Sequence, residues 1–394
     1  MKYLSLFSGI GGLESIRPPM MCCEIDKACQ HVLRSRFNGI PIVEDVRELK
    51  GVATDIVCGG WPCQDLSVAG LQTGLKGKNS RLFFELLRVA EEAGAHTIVA
   101  ENVPNLLVME NGKVFMTVLS EFQRIGYEQV AWRTLNARSF GLPHQRQRVF
   151  IVASTKRNLA DTLHRELPGI STETTENKPQ ISGFYWTAGT RSICYSRGFI
   201  PTLKVGSSVS IPSPPAIHYD NLVRMLLPHE ALALQGFLPP KSTKLAHFDG
   251  LNSSDIYRMA GNAVAAPVGR FVVEGVLDSS VPSDVSARAS GVQTDLFGQT
   301  GRATDMAIPK NGISIKGDLQ KVETRNDGPL ATNLSDFIFG NSEARLSSKA
   351  ARGLLSRLER SGLGCPSDLH TALKPSSSWT PCASSSRSSG DGQA

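Results

Sequence analysis

Nowhere in its 394 positions does the chain have a run of 18 apolar residues, which speaks against a membrane-spanning helix. It also lacks a C-x-x-C pair. The eight cysteines stand at 22, 23, 29, 58, 63, 194, 365 and 382, so no zinc site or other metal centre is expected. Charge of one sign is scarce too: 42 Lys+Arg against 36 Asp+Glu leave +6. That mild basic bias suits a polyanionic partner without establishing one. Met1 to Gly12 carries one lysine, a short apolar run and then glycines, and reads as a strand and turn instead of a secretory signal. Irregular cysteine spacing without such a signal points to reduced thiols and a cytoplasmic location, with one thiol available for chemistry. Apolar residues at 41% and charged residues at 20% are ordinary for a globular chain. A chain of this length buries a core without disulfides or metals, and at roughly 150 residues per domain it suggests two or three units.

Residues 1–155 alternate short apolar runs with helical stretches, the pattern of an α/β sheet. The expected strands are Tyr3–Phe7, Met20–Ile25, Asp55–Cys58, Thr97–Ala100 and Arg148–Ala153; the clearest helices are Leu82–Ala93 and Val114–Arg124. Residues 156–220 are rich in Thr, Ser, Pro and Gly, with scattered aromatics and no long periodic run, and read as a small loop-rich second unit. Residues 221–280 return to compact α/β character. In the extension 281–394 periodicity fades. One basic amphipathic helix is expected at Ser348–Arg360, with Ala351, Leu354, Leu355 and Leu358 on one face, and the Ser-rich last twenty residues are expected to be disordered.

Several clusters carry chemistry. Leu6-Phe7-Ser8-Gly9-Ile10-Gly11-Gly12 follows the first strand; its glycines let the backbone turn tightly and approach a ligand, while the next helix offers its N-terminus. The dinucleotide fingerprint is not met, since Glu14 holds the third glycine position, and an ordinary strand–helix turn would look the same. Glu24 closes the second strand, where a carboxylate can accept ribose hydroxyls, and Asp45 follows the third. Each alone could be a solvated loop acid; in register with the glycine loop they favour a nucleoside-bearing cofactor.

Gly59-Gly60-Trp61-Pro62-Cys63-Gln64-Asp65-Leu66-Ser67 places a thiol at the carboxyl end of a strand, where open α/β folds keep reactive groups. Cys63 reads either as a nucleophile or as a buried inert cysteine. Val68–Arg81 follows, with Gly70, Gly74, Gly77, Lys76, Lys78 and Arg81, the profile of a basic loop able to close on a phosphate backbone or of a merely flexible surface loop. Glu101-Asn102-Val103 ends the next strand with an acid suited to protonating a ring nitrogen. His144-Gln145-Arg146-Gln147-Arg148 sets two arginines two apart entering a strand, facing one side, as carbonyl or anion recognition requires. Gly261-Asn262-Ala263-Val264 leads into an apolar helix.

Taken together, these elements resemble the cytosine-5 DNA methyltransferases, whose ordered motifs F-x-G-x-G-G, G-G-x-P-C-Q-x-x-S, E-N-V, Q-x-R-x-R and G-N-x-V are matched or nearly matched over about residues 1–278. The resemblance implies a mostly parallel Rossmann-like sheet that binds S-adenosyl-L-methionine, with a small target-recognition domain at 156–220. It implies that Phe7, Gly9, Gly11 and Gly12 cradle the methionine part of the cofactor, that Glu24 holds the ribose, and that Ile25 packs on the adenine. Asp45 and Val46 would lie near the adenine edge, and Leu82, Asn262 and Val264 would complete the pocket. Cys63 would attack C6 of the target cytosine, and Glu101 would bond and protonate N3. Arg146 and Arg148 match the paired arginines, Arg148 nearer the base. Ser67, Lys76, Lys78, Arg81, Arg191, Arg197 and Lys204 are the expected DNA contacts. The implied partner is double-stranded DNA, bound by a monomer. Because no motif lies beyond about residue 285, truncation there is expected to leave methyl transfer intact; the alternative is that the Ser348–Arg360 helix docks on the core or adds nonspecific DNA affinity through its basic face.

Departures from the pattern are Trp61 in place of the commonest proline, His144 in place of the first glutamine, and His229 in place of an arginine in Arg224–Phe237, which resembles a ninth motif. Ile200-Pro201-Thr202-Leu203 matches an element that closes the recognition domain. Three other readings compete. Cys194-Tyr195-Ser196 faintly echoes a signature of related tRNA cytosine methyltransferases. A catalytically dead DNA-binding homologue would not need Cys63 and Glu101. A nicotinamide-dependent enzyme would need the third glycine and leave Pro-Cys-Gln without a role.

Overall fold

Unbroken apolar runs such as Ile56-Val57-Cys58 and Ile98-Val99-Ala100 fit only a sheet covered on both faces, and there they lie in the computed structural model of the chain. The structure describes residues 1–50, 52–62, 80–156, 162–163, 165–168, 181–185, 194–204, 215–219, 222–278, 300–302, 334–338, 351–356 and 367–374. In chain order the elements of the first half are β1 (Tyr3–Leu6), β2 (Met21–Cys23), α1 (Lys27–Arg36), β3 (Ile42–Val43), β4 (Ile56–Gly60), α2 (Ser80–Glu92), β5 (Thr97–Asn102), α3 (Lys113–Arg124), β6 (Gln129–Asn136) and β7 (Gln147–Ser154). Then come β8 (Ser182–Tyr185), β9 (Cys194–Arg197), β10 (Ala216–Tyr219), β11 (Leu222–Met225), α4 (Pro228–Ala233), α5 (Ser253–Asn262), α6 (Ala266–Leu277) and β12 (Thr300–Arg302).

The large sheet has the order β12-β6-β7-β5-β4-β1-β2-β3. Strands β5, β4, β1, β2 and β3 are mutually parallel, whereas β7, β6 and β12 each join antiparallel. Side chains alternate between two cores, as the two-residue period demands. Leu4, Leu6, Val57, Ile98 and Ala100 pack under α2 and α3 against Phe83, Leu86, Phe115 and Phe122. Tyr3, Ile56, Cys58, Val99 and Val152 face the other way, onto Val32 of α1, Met259 of α5, and Phe271 and Val272 of α6. Helix starts are chemically marked. Asp26 caps α1 by accepting the Cys29 N–H at 2.9 Å, and Asn252 caps α5 by accepting the Asp255 N–H at 2.9 Å.

The order of the parallel strands reverses between β1 and β4, and such a switch point opens a crevice beyond the carboxyl ends of the strands. The glycine loop leaves β1 there, and Trp61-Pro62 leaves β4 beside it.

Within the region read as loop-rich stands a four-stranded antiparallel sheet, β11-β10-β8-β9, which runs on to Met225. One face, with Ile217 and Tyr219, joins the main core through Ile181, Ile200 and Leu203. The other face, with Phe184, Tyr195, Ala216, Val223 and Met225, is covered by residues from the end of the chain: Ala351, Leu354, Leu369, Ala372 and Leu373. Described segments of the extension are therefore packed, not detached. β12 pairs with β6, and Leu334, Phe337 and Ile338 enter the main core. Residues 351–356 are helical as expected, whereas the rest of Ser348–Arg360 and the last twenty residues lie outside the described residues. Among the described residues no helix is long and apolar enough to cross a membrane.

Candidate active site

The glycine loop is built by backbone geometry that few side chains allow. Phe7, Gly9 and Gly11 have φ of 53°, 55° and 83°, the left-handed region that glycine enters freely and phenylalanine only under constraint. A β-carbon on Gly12 would collide with the Val264 carbonyl, and one on Gly269 with the carbonyl of Gly12, so the loop lies backbone to backbone on the start of α6. Beneath it Glu14, the residue in the third glycine position, turns inward. It is buried and accepts a hydrogen bond from Ser5 Oγ, which lies 2.7 Å from Ser8 Oγ. Burial pushes the Glu14 carboxyl above the ordinary carboxylate range.

Glu24 sits just past β2, with one oxygen accepting the Gly9 N–H at 2.7 Å and the other the Asp26 N–H at 2.9 Å. Burial raises its pKa, and the two backbone donors pull the other way. A carboxylate has about four acceptor sites, so two amides leave capacity for a pair of hydroxyls. Ile25 next to it is 64% exposed, an apolar side chain offered to a flat partner. Val46 is buried and Leu82 half-buried in the core beneath α2. Asn262, the last residue of α5, is exposed, and Val264 is half-buried. Asp45 is held by its neighbour: Arg47 Nε lies 2.9 Å and 3.0 Å from its two oxygens and the Arg47 N–H donates at 3.0 Å, which lowers the Asp45 pKa.

The second part of the site lies at the ends of β4, β5 and β7. Glu101 pairs in register with Gly60, and a β-carbon on Gly60 would stand 2.7 Å from Glu101 Oε2. A side chain at position 60 would displace that carboxyl. Arg148 Nε holds Glu101 Oε1 at 3.0 Å. Burial raises the Glu101 pKa, with Arg148 and then Arg146 drawing it back. Arg146 is buried, donates to the Gly261 carbonyl at 3.0 Å and the Leu203 carbonyl at 3.4 Å, and has no acceptor for its Nε–H among the described residues. Asn102 donates to the Trp61 carbonyl at 3.1 Å and thus fixes the chain two residues before Cys63. Trp61 fills the proline position with a ring buried 5.1 Å from that of Phe83.

His144 keeps a definite bond. It is fully buried, its Nε2 accepts the Leu203 N–H at 3.0 Å, and burial beside Arg146 and Arg148 pulls its pKa well below the usual imidazole value. Gln145 N–H donates to the Ile200 carbonyl at 2.8 Å, and Thr202 Oγ1 donates to that of Gln145 at 2.5 Å. These bonds lace the Pro-Thr-Leu element to the arginine motif. In the ninth-motif stretch, Arg224 and Glu230 form a buried two-bond pair at 2.8 and 2.6 Å.

Cys63, Ser67, Lys76, Lys78 and Arg191 lie outside the described residues. Arg81 and Arg197 are exposed, and Lys204 Nζ stands 5.1 Å from the Tyr185 ring centre. Cys22, Cys23, Cys29 and Cys58 are free thiols buried in the core, where burial pushes Cys22 and Cys23 up to about 12 and disfavours thiolate. No group of three His, Cys, Asp or Glu able to hold a metal occurs among the described residues. Sequence reasoning missed Arg36, Asn102 as a positioning group and the inward-turned Glu14. Only Asn102 carried a signal, through its place in Glu101-Asn102-Val103.

Among solved structures, the S. pombe Dnmt2 methyltransferase shares this fold, with a TM-score of 0.50 at 14% identity over 71% of this chain and 98% of that one. The family described as C-5 cytosine-specific DNA methylase matches residues 1–184. The type II methyltransferase M2.BsuMI of Bacillus subtilis (strain 168) is 36% identical over 296 residues, 70% of this chain and 75% of that protein. M1.ScrFI of Lactococcus lactis subsp. cremoris is 27% identical over 316 residues, 70% and 78% of the two chains. The chain belongs to the C-5 cytosine-specific DNA methylases, S-adenosyl-L-methionine-dependent transferases.

Proposed function

We propose that the chain methylates C5 of a cytosine extruded from a specific site in duplex DNA, as the modification enzyme of a restriction–modification type of system. The names of its type II relatives support that setting. The observation that carries the reading is the Glu101 carboxyl, buried, raised in pKa and laid over Gly60, three residues before Cys63.

The crevice fits S-adenosyl-L-methionine. Glu24 offers spare acceptor capacity for ribose hydroxyls, exposed Ile25 offers a flat apolar contact for the adenine, and the collision-tight Gly12–Val264 approach leaves the loop backbone bare for the methionine part. Phe7, Gly9, Gly11, Gly12, Val46, Leu82, Asn262 and Val264 line the same crevice in this reading, and Asp45 faces the adenine edge when Arg47 yields it. Bound there, the sulfonium supplies the methyl group.

Taking the base out of the stack costs a few kcal/mol. Cys63 Sγ, as thiolate, adds to C6 and forms the C–S bond, while the π electrons move toward C5. Glu101 hydrogen-bonds N3 and gives it a proton, which makes C5 enamine-like. Arg148 steadies Glu101, and the spare Nε–H of Arg146 suits the base carbonyl. Once C5 carries the methyl group, loss of the C5 proton expels Sγ from C6 and N3 returns its proton to Glu101. Ser67, Lys76, Lys78 and Arg81 serve the phosphate backbone beside the target, and Arg191, Arg197 and Lys204 serve the recognition unit. Residues 156–220 with β11 form that unit, set between catalytic segments 1–155 and 221–280.

The experiment is methyl transfer from labelled cofactor to duplex DNA and to tRNA, with Cys63→Ala alongside. DNA is labelled, tRNA is not, and Cys63→Ala binds cofactor without transferring. Duplex carrying 5-fluorocytosine traps the wild type covalently, because fluorine cannot leave as the proton does. Labelled tRNA with unlabelled DNA would replace the reading by the tRNA one, and transfer at near wild-type rate by Cys63→Ala would remove the covalent mechanism.

A further inference from the structure

The small antiparallel sheet is apolar on both faces. Strand alternation sends Ile217 and Tyr219 toward the catalytic core and Phe184, Ala216, Val223 and Met225 away from it. A sheet of four short strands with one open apolar face is a poor scaffold for reading bases, because nothing fixes its tilt. In this chain that outer face is closed by two pieces from the end of the sequence. Helical residues 351–356 bring Ala351 and Leu354, and helix Ser367–Leu373 brings Leu369, Ala372 and Leu373. Leu373 is fully buried, Leu354 and Leu369 are 1% exposed, and the polar side of the first piece, Arg352 and Gly353, faces solvent. The same stretch of chain is anchored at its other end. Leu334 is fully buried and Phe337 and Ile338 are 4% exposed in the main core, the core that also holds Ile217 and Phe271.

We propose that the segments 334–338, 351–356 and 367–373 are a working part of the DNA-recognition unit: a brace, rooted in the catalytic core at 334–338 and clamped on the outer face of the β8–β11 sheet at 351–356 and 367–373, that fixes how that sheet is presented to DNA. The proposal rests on the reading of this sheet as the recognition unit. It replaces the expectation that everything beyond residue 285 is dispensable. Its residues 351–356 and 367–373 pack on the outer face of the small sheet, so the expected effect falls on DNA and not on the cofactor.

The test compares the full chain with a chain ended after Lys374, a chain ended after Gly340, and the full-length substitution Leu373→Asp. Bisulfite sequencing of plasmid methylated by the full chain first defines the marked site. Cofactor affinity by titration, thermal unfolding, KM for a duplex with that site, and site choice on plasmid are then measured for each protein. The chain ended at Lys374 should match the full chain. The chain ended at Gly340 and Leu373→Asp should hold cofactor within about twofold, while KM for DNA rises tenfold or more and methylation spreads to near-cognate sites. Unchanged KM and site choice without residues 341–374 would overturn the proposal. So would loss of cofactor binding in step with loss of DNA binding, which marks a general stability element. Failure of the underlying reading looks different. If exchanging the small sheet for that of a relative leaves the marked site unmoved while the Gly340 chain still loses DNA affinity, the brace stands and the assignment of specificity to the sheet falls.

Discussion

The Arg36 guanidinium, at the end of α1, donates to the Gly11 carbonyl at 3.0 Å, and its Nη1 also reaches the Ile10 carbonyl. Phe37 and Phe237 flank it at 5.2 and 5.0 Å from their ring centres. One cation thus gathers the glycine loop, α1 and the segment after α4. A β-carbon on Gly11 would stand 2.8 Å from that nitrogen, so Gly11 is required for space as well as for its φ of 83°. Hydrogen bonds to charged groups contribute about 1.5–3 kcal/mol. Arg36→Met should therefore weaken S-adenosyl-L-methionine binding by about tenfold or more while leaving KM for DNA nearly unchanged. Calorimetric titration checks this, and an unaltered cofactor Kd would show the loop to be self-supporting.

In the proposed mechanism Glu101 delivers a proton to N3, so the acid form is the active one. Burial raises its pKa, which keeps the acid form populated to higher pH than an exposed glutamate allows, and Arg148 limits the rise. The wild-type kcat should fall as pH climbs past that raised value. Glu101→Gln keeps the shape but has no proton to give. It should lose on the order of 10²–10⁴-fold in kcat, the usual worth of a positioned acid, and lose that limb of the pH profile with cofactor affinity intact. A Gln variant with the wild-type profile would assign the proton to another group.

The strands that bound the crevice were legible because the candidate residues sit where the periodicity is simplest. β1, β4 and β5 are short unbroken apolar runs, and Gly9, Cys63 and Glu101 follow or end them, so finding the strands located the crevice. β6 was not found: Gln129-Val130-Ala131-Trp132-Arg133 mixes large, small and charged residues, and its pairing with β7 on one side and β12 on the other makes it a strand. The strands β8–β11 are four residues each within polar stretches, and their outer face makes sense only against Leu354 and Leu373, more than a hundred residues away. Arg36 was invisible for the same reason. Nothing local in Arg34-Ser35-Arg36 points to carbonyls 25 residues upstream.

His144 occupies a position where an amide is usual, and its job here is to accept one backbone N–H, that of Leu203. A glutamine can do the same, so His144→Gln should fold and methylate nearly as the wild type does. His144→Leu leaves the buried Leu203 N–H without its acceptor, at a cost of about 1–3 kcal/mol. The denaturation midpoint should drop accordingly, and DNA binding should weaken as the Pro-Thr-Leu element loosens. Equal midpoints for the two variants would show that water replaces the ring.

Glu14 ties stability to pH with an unusual sign. Its folded pKa lies above its unfolded one because burial disfavours the carboxylate. Between those two values the native state holds a proton that the unfolded chain has released, so stability falls as pH rises across the window and stays lowered above it. Asp26, pulled down by Arg258, acts in the opposite direction at lower pH. Glu14→Gln retains a partner for Ser5 and removes the titration. Its melting temperature should overtake that of the wild type from about pH 5 upward, just above the ordinary glutamate pKa; parallel curves for the two proteins would place the proton elsewhere.

Sequence choice is the last property the structure allows to be moved by design. Strands β10 and β11 form one hairpin, with Ala216 opposite Met225 and Tyr219 opposite Leu222. A graft cut at residue 220 would split that hairpin, and a graft of residues 156–225 would keep it whole. The longer graft still has to meet Leu354, Leu369 and Leu373 on its outer face and His144 at Leu203. The segment from a relative of different specificity should therefore move the methylated site only when residues opposite the three leucines are kept apolar and position 203 retains its N–H. Within the native segment, exposed Arg197 is the better single test than Lys204, whose ammonium stands over Tyr185. Arg197→Ala, with Arg191→Ala, should weaken cognate binding by about 1–3 kcal/mol for each bidentate hydrogen-bond pair to a base that is removed, or relax the choice of base, with cofactor affinity unchanged. Bisulfite sequencing reads both experiments. A whole-hairpin graft that folds yet marks the original site would shift recognition to the loop Val68–Arg81.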